Sequence, residues 1–328
     1  MLISVIIPVY NVEKYIQNCV ESLIIPDMND VEILLIDDGS TDNSGNICDA
    51  LAGKYNNIRV FHKKNGGLSD ARNYGISKST GSWISLIDSD DMVVPNYLNI
   101  MKKMINSLDR DIFIFKYKKF DDGERIFTGP NSFDASKLHK LSKPQAMFSL
   151  TKEKYGNYAW NKLYKRELFH DIEYPIGKGY EDIFTTYLLY EKAKNIALYE
   201  DILYFYRQRA SSIVYEKQLD KKVLLFEDRY EAMKLQNTFF GYKEYFEAYK
   251  RSKRYLINYA LILVTYIETF DCSKNNIYES AVKLLKDYSP SVARDGLKIY
   301  VLLIFRKHFT RTYKKLMHIF LAKKGLEN

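Results

Sequence analysis

Cysteine is scarce in this chain of 328 residues: Cys19, Cys48 and Cys272 stand far apart, odd in number and without CxxC spacing. Neither a disulfide framework nor a zinc site is indicated, and a reducing cytoplasm fits. Long apolar runs are missing as well. The longest, YLINYALILVTYI from Tyr255 to Ile267, falls short of the ~18 residues of a membrane span and is interrupted by Asn258 and Thr265, so it reads as a buried helix. The opening, MLISVIIPVYN, has neither a basic leader nor a small-residue cleavage site and reads as a first β-strand, not an export signal. No GxGxxG follows that strand, which argues against a dinucleotide enzyme. Acids are nearly absent at the far end: residues 298–328 carry eight Lys or Arg against Glu327 alone. The formal charge of +8 therefore sits mostly in that tail, without a recognised nucleic-acid motif, and nucleic acid is not expected as a partner.

What is there is a 46% hydrophobic chain long enough for one large domain with an appendage, or two domains. Along the first hundred residues strand and helix patterns alternate. LISVIIPVY, VEILLIDDGS, IRVFHK and WISLIDSDD read as strands; VEKYIQNCVESLI, STDNSGNICDALAGKY and LSDARNYGISKS read as the helices between them. Such alternation predicts βαβ units and a mostly parallel, Rossmann-like α/β sheet flanked by helices. Ligands of such sheets bind beyond the carboxyl ends of the strands. Tyr10 and Asn11, then Asp37 and Asp38, then Asp88, Asp90 and Asp91 follow successive strands and should converge on one crevice.

Carboxylates crowded into one crevice need a counter-charge to stay ionised. A divalent cation, Mg2+ or Mn2+, supplies it and favours carboxylate plus phosphate oxygens, so Asp88-Ser89-Asp90 reads as a diphosphate reader acting through a metal bridge. The alternative is that Asp90 and Asp91 cap a helix starting near Pro95, with Asp88 in a solvated turn.

ISVIIPVYN, ILLIDDGSTDNS, KKNGGLSDARNYGI and SWISLIDSDDMVVPNYL, in this order, resemble the N-terminal signature of family 2 glycosyltransferases with the GT-A fold. AWNKLYKRELF, GYEDIFTTYLL and YFYRQRASSI are similar to the acceptor half of bacterial polysaccharide and protein-glycan transferases of that family. The resemblance implies a GT-A domain over residues 1–215, with a nucleotide-binding half to about residue 100 and an acceptor half after it. Residues 216–328 would form an added helical domain. By the same resemblance Pro8, Val9 and Tyr10 line a uracil pocket and Asp38 accepts a hydrogen bond from the uracil, while Asp37 supports the turn. Arg72 and Asn73 lie near the nucleotide, unless their segment is only a flexible loop and amphipathic helix. Asp88 faces the ribose or the metal; either Asp90 or Asp91 is the main metal ligand, and Asp90 completes the Asp-x-Asp. Among Glu181 and Asp182, which open an amphipathic helix, the second member is the general base and Glu181 orients it or the acceptor.

Trp160, Asn161 and Lys162 combine an aromatic with hydrogen-bonding groups, as a sugar platform does, or Trp160 belongs to the core. Arg207, Arg209, Ser211 and Ser212 make a basic lid for the diphosphate, with no histidine nearby for a third metal contact. The expected reaction is inverting transfer of a hexose from a UDP-sugar to a hydroxyl of a glycan acceptor, on a lipid or a serine-rich protein; a noncatalytic nucleotide-sugar-binding subunit is the alternative. A glycoside hydrolase fits less well, because it needs no nucleotide pocket and uses a separated pair of carboxylates. Treated as one helix, residues 302–320 set Leu302, Phe305, Phe309, Leu316 and Phe320 opposite Lys307, Arg311, Lys314 and Lys315. That face either docks on an anionic membrane surface, placing a cytoplasmic enzyme on its inner side, or packs on the preceding helices.

Overall fold

A computed structural model describes residues 2–124, 129–130, 132–209, 218–291 and 297–308. The chain divides into two compact units, Met1–Ala210 and Ser211–Asn328.

In the first unit β1 (Ile3–Val9), β2 (Val31–Asp37), β3 (Ile58–His62) and β4 (Trp83–Leu86) form a parallel sheet in the order β3-β2-β1-β4. Every residue of β1, β2 and β4 is buried, which is why these strands read as continuous apolar runs and not as alternation. Between them run α1 (Ile16–Leu23), α2 (Ser44–Lys54) and α3 (Leu68–Lys78). In α1, Ile16, Cys19, Val20 and Leu23 make the buried stripe, at the spacing of one helix face. The approach of α3 is so close that a Cβ on Gly75 would stand 2.4 Å from Ile6 Cγ2, so only glycine fits there.

The chain then continues through β5 (Met92–Val93), α4 (Tyr97–Ser107), β6 (Ile112–Asp121), β7 (Leu138–Leu141), α5 (Lys143–Leu150), β8 (Lys162–Lys165), α6 (Glu181–Lys192) and β9 (Ile196–Gln208). These strands extend the sheet in the order β4-β8-β6-β9-β5, with β7 also on β9. β6 and β9 are parallel, whereas β8 lies antiparallel to both β4 and β6. The result is one nine-stranded sheet whose β3-β2-β1-β4 part is wholly parallel and whose remaining part is mixed.

The second unit contains α7 (Leu219–Tyr242), α8 (Phe246–Thr269), α9 (Asn276–Asp287) and α10 (Leu297–His308). The run from Leu256 to Ile267 is buried almost throughout, as the core of this unit. Among the described residues no helix is long and apolar enough to cross a membrane. Asn237 Nδ2 ties α7 to α8 through Ser252 Oγ at 2.7 Å and the Tyr249 carbonyl at 3.0 Å. In α10, Leu303 is buried and Ile299 and Leu302 pack on the same core, while Arg306 grips Glu268 through both oxygens at 2.8 and 3.2 Å. In the described start of the C-terminal amphipathic pattern Leu302 turns into the helical unit; the side chains of Phe305 and Lys307, and Phe309, Arg311, Lys314, Lys315, Leu316 and Phe320, lie outside the described residues.

Candidate active site

The strand ends of the parallel half are stitched into one rim. Asn11, in the left-handed region at φ 51, accepts the Thr41 amide on its side-chain oxygen at 2.8 Å. The Ser44 hydroxyl receives the Val12 amide at 2.8 Å, and Asp38 N donates to Val9 O at 2.8 Å. Pro8 and Val9 are buried inside β1, and Tyr10 is 49% exposed above them. Asp37 supports the turn: it accepts from Ser40 N at 3.0 Å and pairs with His62 Nδ1 at 2.7 Å.

Asp38 is held by the loop before α3. Its side chain is 3% exposed, and its oxygens accept the amides of Gly66 at 2.9 Å and Gly67 at 2.7 Å, with Lys63 Nζ at 2.5 Å. Asp38 anchors the Gly66-Gly67 turn that leads into α3. Gly67 adopts φ +87, a conformation that favours glycine.

Beyond β4, Asp88, Ser89, Asp90 and Asp91 divide by burial. Asp91 is fully buried; one oxygen accepts from Tyr204 Oη at 2.6 Å and the other from the Arg207 amide at 2.7 Å. Desolvation first, then the charges of Asp90 and Asp88, push its carboxyl well above the usual range. Asp91 as a metal ligand is therefore corrected: it fastens the end of β9. The same Tyr204 hydroxyl accepts the Asp88 amide at 3.2 Å. Ser89 is buried between two acids that stay partly exposed, Asp88 and Asp90. Asp88 Oδ1 accepts from Arg72 at 2.8 Å, and Asp90 Oδ2 lies 2.5 Å from Arg209 Nε. Burial raises the Asp90 carboxyl; Arg209 opposes that and Asp88 adds to it. Among the described residues no group of three or more His, Cys, Asp or Glu stands ready to enclose a metal ion.

Farther along the chain, α6 begins in strain. Tyr180, its N-cap, holds φ 56, an uncommon conformation for a bulky residue and one that concentrates at functional sites. It sets Glu181 and Asp182 in the first turn. Glu181 Oε1 accepts from Arg72. Asp182 accepts the Ile183 amide at 2.8 Å, and burial, followed by the charge of Glu181, pushes its carboxyl up to about 7 against the pull of Arg72.

The AWNKLY residues are interior. Trp160 is 5% exposed and its ring stacks on Tyr204 at 4.4 Å, Tyr158 at 4.8 Å and Tyr206 at 5.3 Å, with Tyr117 edge-on at 4.9 Å. Asn161 and Lys162 are fully buried. Asn161 Nδ2 donates to the carbonyls of Tyr155 and Phe115 at 3.0 and 3.2 Å. Lys162 Nζ donates to the carbonyls of Tyr158 at 2.5 Å and Gly156 at 3.1 Å, and desolvation draws its amine down to about 7. The acceptor contacts expected of these three residues are corrected to a packing role. Trp160→Ala should cost roughly 3–5 kcal/mol of stability, read as a lowered denaturant midpoint; a midpoint that does not move would return Trp160 to the surface as a platform.

Of the expected lid, Arg207 is 8% exposed and committed to Asp90 O at 2.7 Å and Asp122 Oδ1 at 2.9 Å. Arg209, beside Asp90, lies 5.4 Å from the Tyr15 ring; Ser211 and Ser212 lie outside the described residues. Sequence reasoning missed Tyr204, Lys63 and Tyr15, which brace the site. Tyr204 and Tyr206 carry the alternation of a strand, the one signal they offered.

The family model for glycosyl transferase family 2 matches residues 4–173. The chain belongs to this family. The transferase is 36% identical over 223 residues to glycosyltransferase GlyG of Streptococcus pneumoniae serotype 4, covering 65% of this chain and 73% of GlyG. It is 33% identical over 220 residues to GlyA of the same organism, covering 64% of this chain but 31% of GlyA. With the minor teichoic acid biosynthesis protein GgaB of Bacillus subtilis it shares 30% identity over 214 residues, 63% of this chain and 23% of GgaB. GlyA and GgaB are thus much longer proteins than the part the transferase matches. Among solved structures, S. aureus TarS 1–349 in complex with UDP-GlcNAc superposes with a TM-score of 0.64 at 21% identity, over 99% of this chain and 92% of that one. The transferase shares that GT-A fold.

Proposed function

We propose that the transferase moves a hexose (galactose, glucose or an N-acetylhexosamine) from a UDP-sugar to a hydroxyl of a glycan acceptor, with inversion, using Asp182 as general base. The observation that carries the reading is the juxtaposition made by Arg72. Its guanidinium joins Asp88, at the strand-end crevice, to Glu181 beside Asp182, so donor-side acids and a carboxyl with a value of about 7 share one rim. A base near the operating pH removes a proton most effectively. The acceptor O–H would give its proton to an Asp182 oxygen as the oxygen bonds to the anomeric carbon, and the bond from that carbon to the diphosphate would break on the opposite side.

Asp88 and Asp90 fit a divalent cation, Mg2+ or Mn2+: they offer hard oxygens on one crevice, and the desolvated Asp90 calls for positive charge. Two carboxylates plus substrate phosphates are the usual protein share of such a site. When bound, the cation would neutralise charge on the departing diphosphate. Arg209, beside Asp90, would meet the same diphosphate, and Tyr10 would cover the uracil ring. TarS, solved with UDP-GlcNAc, supports a UDP-sugar donor, and GgaB, named for teichoic acid biosynthesis, supports a glycan acceptor; we propose that a lipid or a serine-rich protein carries it. We further propose a cytoplasmic location with peripheral membrane contact through residues 298–328, and no nucleic-acid partner.

A screen of UDP-sugars, with and without glycan acceptors and EDTA, tests the reading with UDP release as readout. With the productive donor, log kcat should rise with unit slope as pH climbs to about 7 and level off above it, because Asp182 must be unprotonated to act. A profile that is flat from one unit below that value to one unit above removes Asp182 from the role.

A further inference from the structure

Arg72 is 2% exposed and belongs to α3, yet its guanidinium forks between carboxylates far apart in sequence. One terminal nitrogen donates to Asp88 Oδ1 at 2.8 Å and the other to Glu181 Oε1. Its neighbour Asn73 clamps the backbone of Tyr174 in both directions, donating to the carbonyl at 2.8 Å and accepting the amide at 2.9 Å. The Tyr174 ring lies 5.5 Å from the guanidinium carbon. Two consecutive residues of α3 therefore fasten the segment that leads into α6 at Tyr174 and at Glu181, and Tyr180 between them turns with positive φ. A charge so deeply covered is retained when its partners are held in a fixed geometry, since removing it leaves uncompensated carboxylates behind.

We propose that Arg72 is a positioning residue that ties Asp88 to the first turn of α6 and so sets Asp182, next to Glu181, beside a fixed positive charge. The inference rests on Asp182 being the base.

Burial comes first in raising the Asp182 carboxyl, and charged or hydrogen-bonding groups on three elements face it. Glu181 on α6 raises its carboxyl; Arg72 on α3, the Ile183 amide and Lys162 on β8 lower it. Tyr158, Tyr164 and Tyr174 also feel Asp182, but burial raises all three phenols and they stay neutral over the relevant pH. Lys162 loses its own proton near 7, whereas a guanidinium does not titrate in water. Arg72 is thus the fixed positive charge among these neighbours.

Selective 13Cγ-aspartate labelling reads the proposal directly, with the Asp182 resonance assigned by its loss in Asp182→Asn. The wild-type carboxyl should titrate near 7. Arg72→Gln should raise that midpoint by about one unit, the low end of the effect of losing an opposite neighbouring charge. Arg72→Lys should raise it less, because an ammonium keeps charge but cannot fork two carboxylates. An unmoved midpoint in folded Arg72→Gln overturns the proposal; where only Arg72→Lys folds, an unmoved midpoint there does the same. Failure of both variants to fold also overturns it, since Arg72 is then an indispensable core element. The base reading fails separately, by UDP-sugar transfer surviving in Asp182→Asn whatever the midpoints do.

Discussion

Asp182→Asn should retain UDP-sugar affinity and lose transfer by roughly 10²- to 10⁴-fold, the usual contribution of a positioned proton acceptor. The substitution is nearly isosteric, and the asparagine oxygen can still accept the Ile183 amide that Asp182 accepts at 2.8 Å. What disappears is the ability to take a proton. The stability of the variant supplies an internal control. The folded carboxyl, at about 7, lies above its unfolded value of roughly 4, so the folded state holds that proton more tightly. The stability from this group is therefore fully present below the unfolded value and is lost as pH rises toward 7. Asparagine never ionises and escapes that loss, so above pH 7 the variant should melt no lower than the wild type. Calorimetric titration with UDP, thermal melts and steady-state UDP release separate the outcomes. Lost UDP affinity would make Asp182 a donor-site residue, and a lowered melting temperature above pH 7 would make it a structural one.

The parts of the site that sequence made legible are those fixed by local pattern. The apolar runs ending in Asp37 and Asp88 are buried parallel strands, and strand polarity puts Tyr10, Asp88 and Asp90 on one edge whatever the rest of the chain does. Glu181 and Asp182 open a helix, as their place before an amphipathic run requires. What sequence withheld was the direction each side chain takes once distant elements arrive. Asp90 and Asp91 are adjacent acids with equal claims on a metal, and only Tyr204 and Arg207, more than a hundred positions later, draw Asp91 into the interior. Asp38 is taken by the Gly66-Gly67 turn, and Trp160 by tyrosines of β9, a strand that had not been placed beside it. The fork of Arg72 spans 109 residues to Glu181, and no periodicity reports a pairing of that kind. Charge and apolarity fix which residues need partners; topology decides which partners they get.

That distinction separates two neighbouring aspartates in an experiment. Asp90→Ala should bring transfer below detection and leave the fold intact, because the Asp90 side chain pairs with Arg209 while the strand-to-strand fastening runs through Asp91, Tyr204 and the Arg207 amide. EDTA should reproduce the loss in the wild type, and added Mn2+ or Mg2+ should restore activity there but not in Asp90→Ala. Asp91→Ala should instead destabilise: it strips a buried tyrosine hydroxyl and a buried amide of their acceptor, at roughly 1–3 kcal/mol for each group left unsatisfied. Melting temperatures and transfer rates of the two variants, measured side by side, decide between the roles. Full transfer in excess EDTA would sink the metal assignment for Asp88 and Asp90. An Asp91→Ala protein as stable as the wild type, with metal dependence lost, would move the ligand one position along the chain and make Asp90 merely the partner of Arg209.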